Sequence, residues 1–153
     1  MLRINFLAFS LFVTALSAGG CATSRHYQNA LPHNLTIESS TESVETALDI
    51  YSVGKQCEIT YLGAVDIDHD LMELGIAKGQ ASYLVVSFTS ASFWSNRSGQ
   101  ISYDFTLLPR EAYRYTIDVS YLDNIYNVTV YEINRASGEK REMEGGELRN
   151  CRS

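Results

Sequence analysis

The chain is poor in the residues that most function classes need. Its 153 residues include only three cysteines, two prolines, three histidines and one tryptophan. No apolar run reaches the roughly 20 residues of a membrane-spanning helix, since the longest apolar stretch is Ile4 to Ala18. Twelve Lys and Arg against 18 Asp and Glu give a net charge of −6 with no basic cluster. That balance argues against nucleic acid and against adhesion to anionic lipid heads. No serine sits in a Gly-x-Ser-x-Gly turn, so the strained elbow that exposes a hydrolase nucleophile is missing. Of the three histidines only His69 falls in the expected domain, which leaves little for acid–base, nucleophilic or zinc chemistry. No enzyme and no cofactor is expected.

What is present begins at the front. Arg3 precedes the apolar stretch Ile4 to Ala18, which ends in small residues, the pattern of a secretory signal peptide over residues 1–20. Ala18-Gly19-Gly20-Cys21 resembles the lipobox of bacterial lipoproteins, in which small residues precede a cysteine that is lipidated and becomes the mature N-terminus. Ala18 stands where leucine is usual, and an ordinary signal peptidase could use Ala18 and Gly20 instead. The resemblance implies a lipid anchor, palmitate among its chains, at Cys21. Stable anchoring takes two or more chains. It also implies, through Ala22 after the cysteine, delivery to the bacterial outer membrane, facing the periplasm. The alternative is a soluble periplasmic or secreted protein.

An odd cysteine in an exported protein needs an explanation. Lipidation of Cys21 leaves Cys57 and Cys151 as a pair, and an oxidising compartment favours a disulfide between them. Closing a loop of about 95 residues contributes roughly 4 kcal/mol through chain entropy.

Residues 21–41 are polar, hold Pro32 and lack periodicity, and so are expected to form a flexible tether. Val44, Ala47, Leu48 and Tyr51 recur at helical spacing, with Ser39 three before Glu42 as a capping box and Gly54 as the closing glycine. One short helix is expected there, although Val44, Thr46, Leu48 and Ile50 also alternate as in a strand.

From Lys55 onward the texture is β. Strands are expected at Cys57–Leu62, with Gly63 a bulge before Ala64–Ile67, at Leu71–Ile76 and at Ala81–Thr89. A serine-rich loop, residues 90–99, separates these from the alternating Ile101, Tyr103, Phe105 and Leu107. Tyr113 to Ile133 reads as a hairpin closed by Asp123-Asn124, and a second turn at Arg135–Gly138 leads to Lys140–Met143. Leu108-Pro109 followed by Tyr113 and Tyr115 looks like the Leu-x-Pro…Tyr entry of immunoglobulin-like and transthyretin-like sandwiches, where a tyrosine hydroxyl ties a corner back to the backbone. The expected domain, residues 42–153, is an all-β antiparallel β-sandwich of about seven short strands preceded by one helix, with a small β-barrel as alternative.

Asp66, Asp68, His69 and Asp70 form the densest ionisable cluster. A calcium loop is not completed, because Leu71 stands where the turn glycine belongs and Ala77 where the bidentate glutamate does. A solvated turn is the expectation, and a hydrolase using Asp66, Asp68 or His69 is the least favoured reading. Ten tyrosines suit alternating, half-buried sheet positions. Phe93 and Trp94, beside Arg97 in the serine-rich loop, form a candidate anchor for a partner. The leading expectation is a non-enzymatic, membrane-anchored envelope lipoprotein that binds or scaffolds another envelope protein. The alternative is a periplasmic inhibitor or immunity protein against a cell-wall hydrolase.

Overall fold

The computed structural model describes residues 25–28, 31–41, 44–92 and 97–144. Nine strands fill the described residues: β1 (Leu35–Thr41), β2 (Glu45–Val53), β3 (Ile59–Asp66), β4 (Leu71–Leu74), β5 (Ala81–Ser92), β6 (Arg97–Leu107), β7 (Tyr113–Leu122), β8 (Ile125–Asn134) and β9 (Lys140–Glu142). They form two sheets, ordered β3-β2-β5-β6 and β4-β1-β7-β8-β9. All pairings are antiparallel except β1 with β7. The two separate ladders make a sandwich and dismiss the barrel alternative.

Alternation builds the core. Leu48 and Ile50 of β2, Leu84, Val86 and Phe88 of β5, and Phe105 and Leu107 of β6 face Leu35, Ile37, Tyr115, Ile117 and Val119 of the other sheet, all buried. Each such side chain contributes about 1.5–3 kcal/mol by leaving water.

Two expectations are overturned. The helix after Glu42 does not form: Glu45–Val53 is β2, paired with β5 along its whole length and with β3 from Ala47 to Val53. Both periodicities are written in this segment, and long-range pairing selects the period of two, which puts Thr46, Leu48 and Ile50 inward. The tether is largely structure. Leu35–Thr41 is β1, held between β4 and β7, with Leu35 and Ile37 in the core and Glu38 and Ser40 turned outward. Its two inward apolar residues are too few to show as a pattern, yet they suffice once both edges of the strand are paired. Further upstream, His26 bridges Ala64 in parallel, through Tyr27 N–H to Ala64 O (2.8 Å) and Ala64 N–H to Arg25 O (2.8 Å). The domain therefore includes residues 25–28, well before position 42. The serine-rich loop is also shorter than expected, because β5 continues to Ser92 and β6 begins at Arg97.

Other local readings agree with the structure. Gly63 (φ 146°) sits at the register shift opposite Ile50 and Tyr51. A Cβ there would lie 2.7 Å from Arg25 O and Tyr27 N, so only glycine admits the N-terminal segment along β3. Asp123 (φ 52°) and Asn124 (φ 65°) close the β7–β8 hairpin with the two positive φ values of a type I′ turn. Tyr115 Oη accepts from the Arg110 N–H at 3.1 Å, tying the β6–β7 corner as the Leu-Pro…Tyr pattern implies.

The two ends of the sandwich differ. At the end holding the β2–β3, β4–β5, β6–β7 and β8–β9 connections, buried polar groups cross-link the loops. Asn34 is buried and reads Ile76 on both sides, accepting from its N–H (2.8 Å) and donating to its carbonyl (3.0 Å). Tyr27 donates to Gly75 O (2.9 Å) and the Gly79 N–H to Pro109 O (2.8 Å). At the opposite end, where β1, β3, β5 and β7 finish, the ends of β1, β3 and β7, the start of β2 and the β3–β4 loop line a cleft.

Candidate binding cleft

The cleft measures about 1210 Å³. Its wall on one sheet comes from Ser39–Thr41 of β1 and Ser120–Leu122 of β7, and on the other from the start of β2 and the end of β3. The β3–β4 loop forms its rim and is pinned to both sheets, by the Ile67 N–H to Thr46 O (2.8 Å) and the Ser39 N–H to Asp70 O (2.9 Å). Glu45, Asp66, Asp68 and Asp70 line it, with no lysine or arginine among its lining residues. Val44, Ile67, Tyr121 and Leu122 give it an apolar component.

Thr46 stands at the inner wall, only 6 % exposed. It occupies the place in the inward row of β2 where a further Leu or Ile would continue the core, and its Oγ1 has no hydrogen-bond partner among the described residues. A buried hydroxyl left unpaired costs about 1–3 kcal/mol, so this position is spent on something other than packing.

Among the described residues no three His, Cys, Asp or Glu side chains converge as ligands. His69 approaches Asp68 at 3.6 Å, but their side chains are 74 % and 66 % exposed. The exposure of Asp68 and His69 agrees with the solvated-turn reading.

The remaining sequence-derived sites lie elsewhere. Cys57 is in the β2–β3 turn with φ 64°, at the cross-linked end. It is not a free thiol; Cys21 and Cys151 lie outside the described residues. Phe93 and Trp94 also lie outside them, and of Arg97 only the backbone is described, paired with Ser92 at the start of β6. The register places that hairpin at the cleft end: Glu45 opposes Thr89, and β5 and β6 continue pairing three residues beyond it, to Ser92 with Arg97. Leu122 and Ile125, flanking the β7–β8 turn at the same end, are 73 % and 68 % exposed.

Two polar features escaped sequence reading. Glu132 falls in the inward row of β8 after Val128 and Val130 and is buried. Arg110 and Arg141 both pair with it, Arg141 Nε donating at 2.9 Å, and the Arg110 guanidinium lies 4.0 Å over the Tyr113 ring. Burial opposes ionisation of Glu132, but the hydrogen bonds from Arg141 and Arg110 outweigh it and hold the carboxyl below its usual range. The bond to Glu132 in turn raises Arg110. A carboxylate held ionised between two cations is a poor general base. This is a structural clasp, and a glutamate interrupting an apolar alternation was its only signal. The other feature is a tyrosine ladder along β3, β2 and β5, in which Tyr51 packs against Tyr61 (5.1 Å) and Tyr83 (5.7 Å). Burial first, and then neighbouring Asp49 or Asp104, raises the phenol pKa of all three.

Fold and site together define an all-β, two-sheet sandwich with an open, acid-lined cleft at one end. The chain is similar in fold to sea bream transthyretin in complex with thyroxine, with a TM-score of 0.44 and 15 % identity over 69 % of this chain and 99 % of that one. A second similar structure is transthyretin from Sparus aurata, with a TM-score of 0.43 and 16 % identity over 65 % of this chain and 97 % of that one. No known family and no curated protein matches the sequence.

Proposed function

We propose that this protein is a non-enzymatic binding module of the bacterial envelope, anchored through a lipid on Cys21, which engages another envelope protein through the cleft end of its sandwich. The observation that carries this reading is the asymmetry of the two ends. Buried hydrogen bonds and the Glu132 clasp rigidify one end, while the other holds an open cleft beside exposed Leu122 and Ile125. Binding residues are commonly carried on loops held by a rigid scaffold. Phe93, Trp94 and Arg97 are the proposed contact residues, and the described strands on either side of them, β5 to Ser92 and β6 from Arg97, finish and begin at this end.

The path of the chain supports the orientation. Arg25–Tyr27 runs parallel to β3, so it enters from the side of the β2–β3 turn. An anchor ahead of it would turn the cross-linked end toward the membrane and the cleft away from it.

Crosslinking from position 94 in intact cells, followed by mass spectrometry, tests the reading. One dominant envelope protein should be captured, and Trp94→Ala should lose it in a pull-down. An unchanged set of partners would overturn the site. Metabolic lipid labelling should mark the parent and spare Cys21→Ser; equal labelling would overturn the anchor.

A further inference from the structure

We propose that the end cleft receives a lysine- or arginine-bearing segment of the partner protein. This rests on the proposed function and specifies the chemistry of its site. Three observations carry it. Among the described residues the cleft is lined by Glu45, Asp66, Asp68 and Asp70, with no lysine or arginine beside them. Its carboxylates do not converge on one point as a metal ion requires, so they suit a charge that is spread out or repeated along a chain. And Thr46 keeps a buried Oγ1 at the inner wall that has no hydrogen-bond partner among the described residues, an acceptor open to an outside donor.

A long cationic side chain matches this lining. Its methylene stem covers apolar surface while its head reaches acceptors. Here Val44, Ile67, Tyr121 and Leu122 offer the surface, and the carboxylates with the hydroxyls of Ser39, Ser40, Thr41 and Ser120 offer the acceptors. An acidic or purely apolar segment would leave four carboxylates desolvated and unpaired, which is costly.

Acetyl-pentalysine amide is a suitable probe, titrated into the folded, leaderless chain and followed by amide NMR shifts. Shifts should concentrate at Glu45, Thr46, Asp66–Asp70 and Ser120–Leu122. Asp66→Asn with Asp70→Asn should weaken binding at least tenfold, and Thr46→Val severalfold. Glu38→Gln with Asp118→Asn is the control. It removes the same charge from two register-paired residues on the outer face of the sheet, and should change affinity less than twofold. Equal weakening by both double variants, shifts outside the cleft, or a response to calcium but not to pentalysine would each overturn the inference. Crosslinking of a partner from position 94 without pentalysine binding would overturn this inference and leave the proposed function standing.

Discussion

Glu132 shows how a single carboxylate is retained inside an apolar row. Its folded pKa is lowered, so its contribution is present above the ordinary glutamate value of about 4.3 and is lost as pH falls through the folded value. Glu132→Gln should cost about 2–3 kcal/mol at neutral pH. That is less than the ~3–5 kcal/mol of a fully buried pair, because both guanidinium groups are half or more exposed. Urea midpoints of parent and variant should converge as pH is taken from 7 to 3; a constant gap would show that the clasp does not act through charge. Thr46 should behave in the opposite sense. Thr46→Val removes an unpaired buried hydroxyl and should raise stability by about 1 kcal/mol in the absence of ligand, measured by the same unfolding curves. Asn34→Ala orphans both backbone groups of Ile76, and with each worth about 1–3 kcal/mol it should rank among the most damaging single changes.

At the scale of elements, β1 and β2 carry the lesson. Val44 and Leu48 belong to both the helical and the alternating pattern, and nothing local decides between the two. β3 and β5, distant in sequence, need a strand between them, and the resulting ladder outweighs local propensity. β1 was hidden because its inward pair, Leu35 and Ile37, is brief and its outward residues are polar. A protein starting at Ser43, which lacks β1 and the Arg25–Tyr27 segment, should fail to fold. Loss of dispersed NMR signals and of a cooperative melt would show this, whereas a tether could be removed without effect. By contrast, the β7–β8 hairpin was legible because its turn residues and alternation both lie within a short stretch, and the corner tyrosine because Leu108-Pro109 lies only a few residues from it.

For the whole molecule, the alternation of connections between two ends puts the cross-linking hydrogen bonds at one end and the open cleft at the other. The proposed Cys57–Cys151 disulfide would add to the cross-linked end, where the Cys57 turn lies. If that pairing is correct, Cys57→Ser and Cys151→Ser should each lower stability by up to about 4 kcal/mol, the double variant no further, and Cys21→Ser not at all. Non-reducing peptide mapping would identify the pair directly.

The sequence by itself determined the β class, the tight turns, the bulge at Gly63 and the tyrosine corner, since each depends on residues that are neighbours in the chain. The proposed export and lipidation signal is likewise a reading of adjacent residues. Tertiary structure alone decided that residues 44–53 are a strand, that the supposed tether supplies a central strand, and that Glu45, Asp66 and Ser120 share a cleft. Those outcomes depend on which distant segments pair, and pairing energy is not written in any one segment.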